Sequence, residues 1–227
     1  MNALILMTRI PIPGKTKTRL MDILTGIECA EIHKAFLLDL FNLFNYLKDD
    51  VDIYLTYTPE DSFHIFGDMI PNYIKTFPQK GGDLGEKMRN AMEEVLDKGY
   101  DSVILIGSDI PNIQPDDIYK AFDLLEENDI CLGPSFDGGY YLIGMKRLYS
   151  VIFDNDLKWG KKSVLERTVD IANREGLSVG LAIKHMDIDT KEDLLKFSEE
   201  MEKNNKNMII PQNTLEYIQN MEWIHYA

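Results

Sequence analysis

Short apolar runs rich in β-formers alternate along this chain with stretches in which apolar residues return every three or four positions. Residues 3–7 (ALILM) form a continuous apolar run of the kind buried on both faces of a sheet, and 102–106 (SVILI) is the strongest central-strand candidate. Further strands are predicted at 51–58, 130–132, 140–145 and 178–183, with a weaker one at 73–77. Between them, 27–47 places Cys29, Phe36, Leu40, Leu43, Phe44 and Leu47 at helical spacing, and 84–96 does the same with Leu84, Met88, Ala91 and Val95. Pro115 opens another predicted helix, since proline suits a first helical turn, and 162–174 and 191–201 complete the series. Such alternation predicts an α/β fold of three layers, helices covering both faces of a mostly parallel sheet. The turn signal Asp137-Gly138-Gly139 predicts that one neighbouring strand runs antiparallel, making the sheet mixed.

The polar run 199–207 (EEMEKNNKN) reads as a linker or surface turn, so the pattern divides the chain into a domain at 1–203 and an extension at 204–227. That extension carries Ile209, Ile210, Leu215, Tyr217, Ile218, Trp223, Ile224 and Tyr226. A tail so apolar is expected to dock on the domain or on a second subunit, which makes a homodimer one expectation. The 44% hydrophobic content is that of a folded protein, and no apolar run approaches the roughly 20 residues that span a bilayer. No basic segment precedes the first apolar run, so a signal peptide is not expected and the cytoplasm is the expected location. A formal charge of −14, from 38 acidic against 24 basic residues, argues against nucleic acid or an anionic membrane as partner. Two cysteines, Cys29 and Cys131, and four histidines exclude a disulfide framework and make a zinc site unexpected.

Against that acidic background, local positive charge is informative. In open parallel sheets ligands bind beyond the carboxyl ends of the strands, so the segments that follow each strand carry the candidates. After the first strand comes Arg9-Ile10-Pro11-Ile12-Pro13-Gly14-Lys15-Thr16-Lys17-Thr18-Arg19. Its prolines stiffen a loop, Gly14 lets backbone approach a ligand, and Lys15, Lys17 and Arg19 suit a di- or triphosphate. It is no P-loop, because that motif needs glycine where this chain has Arg9. After 102–106 comes Gly107-Ser108-Asp109-Ile110-Pro111, whose carboxylate either caps a turn or holds Mg²⁺ or Mn²⁺ against phosphate oxygens. Beyond 178–183, Asp187 and Asp189 alternate at a strand end, able to point one carboxylate at a shared metal, while Asp189 or Thr190 also suits a helix N-cap. Finally, Gly133-Pro134-Ser135-Phe136-Asp137-Gly138-Gly139-Tyr140-Tyr141 reads equally as a hairpin turn and as a loop that approaches a substrate closely.

Taken in order, PIPGKTKTRL, GGDLGEKM, GSDIP, GPSFDGGYYLIG and DIDTKEDL resemble the GT-A-like nucleotide-diphospho-sugar transferase superfamily over roughly residues 2–200. Within it, the chain is most similar to the small glycosyltransferase-like group described as radical-SAM/selenodomain-associated transferases. Molybdenum-cofactor guanylyltransferases, 2-phospho-L-lactate guanylyltransferase and CMP-sugar synthetases are more distant relatives. The resemblance implies that Pro13, Gly14, Lys15, Lys17 and Arg19 hold donor phosphates, and that Gly81, Gly82, Asp83 and Leu84 line the base or ribose pocket. It implies Asp109 as principal metal ligand with Asp189 as second, for Mg²⁺ or Mn²⁺. Asp137 becomes the candidate general base, with Gly138, Gly139, Tyr140, Tyr141 and Trp159 on the acceptor side.

The implied activity is metal-dependent transfer from a nucleotide-activated donor to a small-molecule acceptor. Glycosyl transfer from a nucleotide sugar is the first expectation; nucleotidyl transfer from a nucleoside triphosphate is the alternative. A non-catalytic nucleotide-binding scaffold is the third reading. Sugar transferases of this fold usually present an Asp-any-Asp pair where this chain has Gly107-Ser108-Asp109, which leaves the reaction type open.

Overall fold

A computed structural model of the chain describes residues 1–153, 164–203 and 208–221. Its strands are β1 (Asn2–Arg9), β2 (Val51–Thr58), β3 (Lys75–Pro78), β4 (Ser102–Gly107), β5 (Ile130–Pro134), β6 (Tyr140–Met145) and β7 (Val179–Leu181). They form one sheet in the order β3-β2-β1-β4-β6-β5-β7. β1 pairs in parallel with both β2 and β4, β2 with β3, and β5 with β7. Among the described residues β6 alone runs against its neighbours, pairing antiparallel with β4 and β5, as the Asp137-Gly138-Gly139 turn predicts. The chain therefore winds outward from β1 to β3, returns to β1's other side at β4, and leaves a crevice where the two directions part.

The helices are α1 (Gly26–Phe44), α2 (Leu84–Leu96), α3 (Pro115–Glu127), α4 (Val164–Arg174), α5 (Lys191–Lys203) and α6 (Gln212–Gln219). Side-chain alternation along β1 explains the three layers. Leu4 and Leu6 join Leu37 and Leu40 of α1 and Ile118 and Ala121 of α3 on one face. Ala3, Ile5 and Met7 join Met88, Met92 and Val95 of α2 and Ala172 of α4 on the other. Each such buried aliphatic side chain contributes about 1.5–3 kcal/mol, which is why β1 and β4 carry no polar residue in their centres. α1 starts where a capping box starts it: Thr25 Oγ1 accepts from Glu28 N at 3.3 Å, and Glu28 Oε2 accepts from Thr25 N at 2.7 Å.

A third apolar cluster joins Ile32 and Phe36 of α1 to Leu194 and Phe197 of α5 and Ile218 of α6. The tail is pinned beside it by a buried carboxylate. Asp39 Oδ1 accepts from Asn213 N at 3.0 Å and Nδ2 at 2.7 Å, and Oδ2 from Thr214 N at 2.8 Å and Oγ1 at 2.6 Å. Trp223, Ile224 and Tyr226 lie outside the described residues.

Several boundaries differ from the pattern. β1 runs on to Arg9, so the basic loop begins directly at the strand's end. α5 continues through Lys203, into the polar run that composition marks as a linker, because Met201 packs in the third cluster and carries the helix with it. β7 holds only three residues at the sheet's edge. Cys29 and Cys131 are buried free thiols. Among the described residues no helix is long and apolar enough to cross a membrane.

Candidate functional site

The carboxyl ends of β1 and β4 open into a cleft of about 690 Å³. The basic loop forms one wall, the start of α2 another, and the segment after β7 closes the third side; Lys15, Lys17, Arg19, Gly82, Asp83, Leu84, Asp109, Tyr140, Tyr141 and Asp189 all line it. Parts of the chain more than 170 residues apart thus meet at the crevice that the strand order creates.

Lys17 is the centre of the site. Its side chain is 3% exposed, and Nζ lies 2.5 Å from Asp109 Oδ1 and 3.5 Å from Asp189 Oδ1. Nζ also donates to the carbonyl of Ile188 at 2.7 Å and stands 5.0 Å from the centre of the Phe36 ring. The residue's backbone is left-handed, φ 48° and ψ 40°, a conformation that costs a non-glycine residue about 1–2 kcal/mol. Its ion pairs hold it there. Arg19 reaches Asp189 Oδ2 at 2.8 Å, so both oxygens of Asp189 face cations. Asp109, 41% exposed, turns its remaining surface to the cleft. Burial works against ionising Asp109, yet the neighbouring Lys17 ammonium, with Arg19 beyond it, outweighs burial and holds the carboxyl below its usual range.

Behind this pair sits a residue that sequence reasoning passed over. His33 of α1 is 2% exposed. Its Nδ1 meets the Thr16 hydroxyl, and its Nε2 lies 3.1 Å from Thr8 Oγ1 and 3.3 Å from Ser108 Oγ. Thr16 precedes Lys17 and Ser108 precedes Asp109, so one ring braces both loops that deliver the central pair. Burial lowers the ring to about 4, with Lys17 and Arg9 reinforcing and Asp109 opposing, which keeps it neutral near pH 7. The available signal was a histidine on the apolar face of a strongly periodic helix.

Asp187 was legible only as one half of an alternating pair. The structure turns it into the cleft beside Asp109. Burial pushes its carboxyl up to about 7, with the negative charges of Asp109, Asp137 and Asp189 adding to the effect and Lys17 opposing it. Gln79 also enters the cleft; its Nε2 donates to Thr8 O at 2.8 Å and Thr56 O at 3.2 Å, tying β3's end to β1 and β2.

Other expected residues have local duties. Gly14 has φ 73°, which glycine tolerates, and its N–H donates to Gly26 O at 3.3 Å. A Cβ on Gly26 would stand 2.8 Å from Gly14 N, so a glycine pair lets the basic loop lie against the start of α1. Asp83 caps α2, its Oδ1 accepting from Glu86 N at 2.8 Å. Asp137 Oδ1 accepts from Ser135 Oγ at 2.5 Å and Gly139 N at 2.9 Å, closing its own turn. Pro13, Gly14, Gly81, Asp137, Gly138 and Gly139 stand outside the cleft lining, and Trp159 lies outside the described residues. His185 pairs with Asp117 at 3.0 Å and packs edge-on against Tyr141.

Among the described residues, no three of His, Cys, Asp and Glu already stand together as a metal-binding group. The donors that converge are carboxylate oxygens, one or two at a time. That is the provision Mg²⁺ ordinarily finds, the rest of its sphere coming from phosphates and water.

Residues 45–161, just over half of the chain, match the family described as "Uncharacterized protein conserved in bacteria (DUF2064)". The chain belongs to this family. A solved structure of a candidate nucleotide-diphospho-sugar transferase from Desulfovibrio desulfuricans G20 is similar along nearly the whole length: 30% identity, TM-score 0.86, covering 96% of this chain and 94% of that one. This DUF2064 chain therefore sits in the nucleotide-diphospho-sugar transferase superfamily. A 2-phospho-L-lactate guanylyltransferase from Methanocaldococcus jannaschii is 31% identical over 132 residues, 57% of this chain. That match spans 54% of the guanylyltransferase, about half its length. The 4-diphosphocytidyl-2C-methyl-D-erythritol synthase of Anaerococcus prevotii shares the fold at TM-score 0.57 and 10% identity, covering 88% of this chain and 96% of that one.

Proposed function

We propose that the protein is a nucleotidyltransferase, joining the nucleoside monophosphate of a nucleoside triphosphate to a small-molecule acceptor and releasing pyrophosphate. The observation that carries this reading is the Lys17–Asp109 pair at the mouth of β1 and β4, flanked by Lys15 and Arg19. A lone carboxylate at the end of β4 suits a triphosphate substrate, and the guanylyltransferase likeness points the same way. An acceptor oxygen attacks the α-phosphorus, the bond from that phosphorus to the oxygen bridging to the β-phosphate breaks, and the pair of electrons leaves with pyrophosphate. Lys15, Lys17 and Arg19 meet the charge that grows on the leaving group, the kind of interaction that often supplies the largest share of rate acceleration. Asp109 and Asp189, with Asp187 beside them, are the oxygen donors that would hold Mg²⁺ or Mn²⁺, which when bound supplies positive charge to phosphate oxygens. Gly82, Asp83 and Leu84 form the wall at the start of α2 and are assigned to the nucleoside. Tyr140 and Tyr141, from the antiparallel strand, form the acceptor side.

Glycosyl transfer from a nucleotide sugar is the second reading, favoured by the end-to-end likeness to the Desulfovibrio protein. Thermal melts with GTP, CTP, ATP, UTP and nucleotide sugars, with and without Mn²⁺, test both. At 100 times its dissociation constant a ligand adds about 2.7 kcal/mol, a rise of several degrees at about 2–4 °C per kcal/mol. The nucleotidyl reading expects the largest metal-dependent rise with one triphosphate, lost in Asp109→Ala. A larger rise with a nucleotide sugar moves the assignment to glycosyl transfer; no rise with any of them rejects both.

A further inference from the structure

Lys17 is held as a bound metal ion would be held. Its ammonium is surrounded by oxygens from three residues, a carboxylate of Asp109 at 2.5 Å, the Ile188 carbonyl at 2.7 Å and a carboxylate of Asp189 at 3.5 Å. Two carboxylates and a carbonyl are the donors a hard divalent cation selects. The side chain is almost wholly enclosed, 3% exposed, although it belongs to a loop whose neighbours Lys15 and Thr18 are exposed. Its left-handed backbone, φ 48°, is one a lysine adopts only where its surroundings compensate. Lysine ammonium is also a compact point charge on a flexible stem, able to leave one set of oxygens for another. The exposed face of Asp109 opens directly into the cleft, so a phosphate arriving there offers Lys17 such a set.

We propose that Lys17 is a placeholder for the divalent cation: its ammonium occupies the position between Asp109 and Asp189, and a metal enters when a nucleotide's phosphates draw Lys17 away. The inference rests on the nucleotide site proposed above and adds an order of events to it. The ammonium and a metal ion cannot both occupy the one position between Asp109 and Asp189, and a metal placed beside it would meet the repulsion of Lys17 and Arg19. Metal and nucleotide therefore assist each other's binding by the same factor, because the displaced lysine is the coupling between them. Without nucleotide, the internal ammonium keeps the metal out.

Titration with Mn²⁺ alone, followed by electron paramagnetic resonance, tests this on the whole chain without any activity assay. Lys17→Met leaves Asp109 without its cation and Asp189 with Arg19 alone, and is expected to bind Mn²⁺ at least about tenfold more tightly than wild type. Lys17→Arg retains a cation and should stay as weak as wild type, and Asp109→Asn added to Lys17→Met should remove the gain. Equal or weaker binding by Lys17→Met, or an equal gain in Lys17→Arg, would overturn the placeholder. If Lys17→Met is poorly folded without metal, its melting temperature should rise with Mn²⁺ more than that of wild type; no such rise also overturns it. Nucleotide binding by wild type with no Mn²⁺ gain in Lys17→Met sinks the placeholder and leaves the proposed function standing. A gain in Lys17→Met with no nucleotide binding at all sinks the function and leaves the internal cation.

Discussion

Ser108 Oγ stands 3.3 Å from Nε2 of His33, and that contact links the residue beside Asp109 to the interior of α1. The same ring meets Thr16, beside Lys17. The central ion pair is therefore positioned from below by a neutral histidine rather than from the solvent side by the loops themselves.

A neutral buried histidine leaves a signature in pH. The unfolded chain takes up this proton below about pH 6.5, whereas the folded chain resists until about 4. The folded state thus keeps its full advantage above pH 6.5 and loses it as pH falls toward 4, by at most about 1.4 kcal/mol per pH unit. His33→Asn should flatten the fall between pH 6.5 and 5 in urea denaturation. A variant slope as steep as that of wild type would assign the effect to other groups.

The basic loop should discriminate by phosphate. Replacing Lys15 and Arg19 together with Ala should weaken triphosphate ligands by roughly ten- to a hundredfold, the range expected for charge-assisted contacts, and nucleosides hardly at all. Calorimetric titration of each ligand class decides it. Equal weakening of both would mean the loop shapes the cleft without touching phosphate.

Two glycines should differ in a way that their spacing alone does not reveal. At Gly81, φ is 136° and an added Cβ would lie 2.8 Å from Glu86 Cβ and 2.9 Å from Lys87 N. At Gly14, φ is 73° and nothing lies within 4 Å of the added atom. Gly14→Ala should cost about 1 kcal/mol of backbone strain, and Gly81→Ala about 2–3 kcal/mol, because the start of α2 must move as well. Melting temperatures should rank the variants in that order; the reverse order would refute the close approach at α2.

The tail depends on one carboxylate. Asp39 is 4% exposed and accepts from the backbone and side chains of Asn213 and Thr214. Asp39→Ala strands those donors and should lower stability by about 2–4 kcal/mol, with proteolysis beginning in the C-terminal segment. Cleavage at the same rate and sites as in wild type would show that apolar packing alone retains the tail.

Sequence periodicity foretold most of the fold because β1 and β4 are buried on both faces and the helices between them carry one apolar stripe each. Their runs are unbroken by polar residues, and the ends of 51–58 and 84–96 agree with those of β2 and α2. The predicted helix 191–201 stands as α5 and runs two residues further, to Lys203, whereas the predicted strand 178–183 shrinks to β7, where three residues find a ladder. For the site, Lys15, Lys17, Arg19 and Asp109 were readable as charges after strands. Their arrangement was not, since nothing local tells whether a lysine turns outward or, like Lys17, folds inward onto Asp109 and Asp189. A histidine on a greasy stripe reads as packing, which hid His33, and the alternation of Asp187 with Asp189 does not tell which of the two turns into the cleft.

The antiparallel strand β6 divides the cleft by the direction of its parts. Because β6 runs backwards, it contributes its beginning, Tyr140 and Tyr141, to the rim where β1 and β4 contribute their ends. The hairpin from β5 into β6 therefore meets the opening through Tyr140 and Tyr141, while Asp137, Gly138 and Gly139 stand outside its lining. Changes at Tyr140 and Tyr141 would alter one bank of the cleft while leaving the β1–β4 pairing as it is.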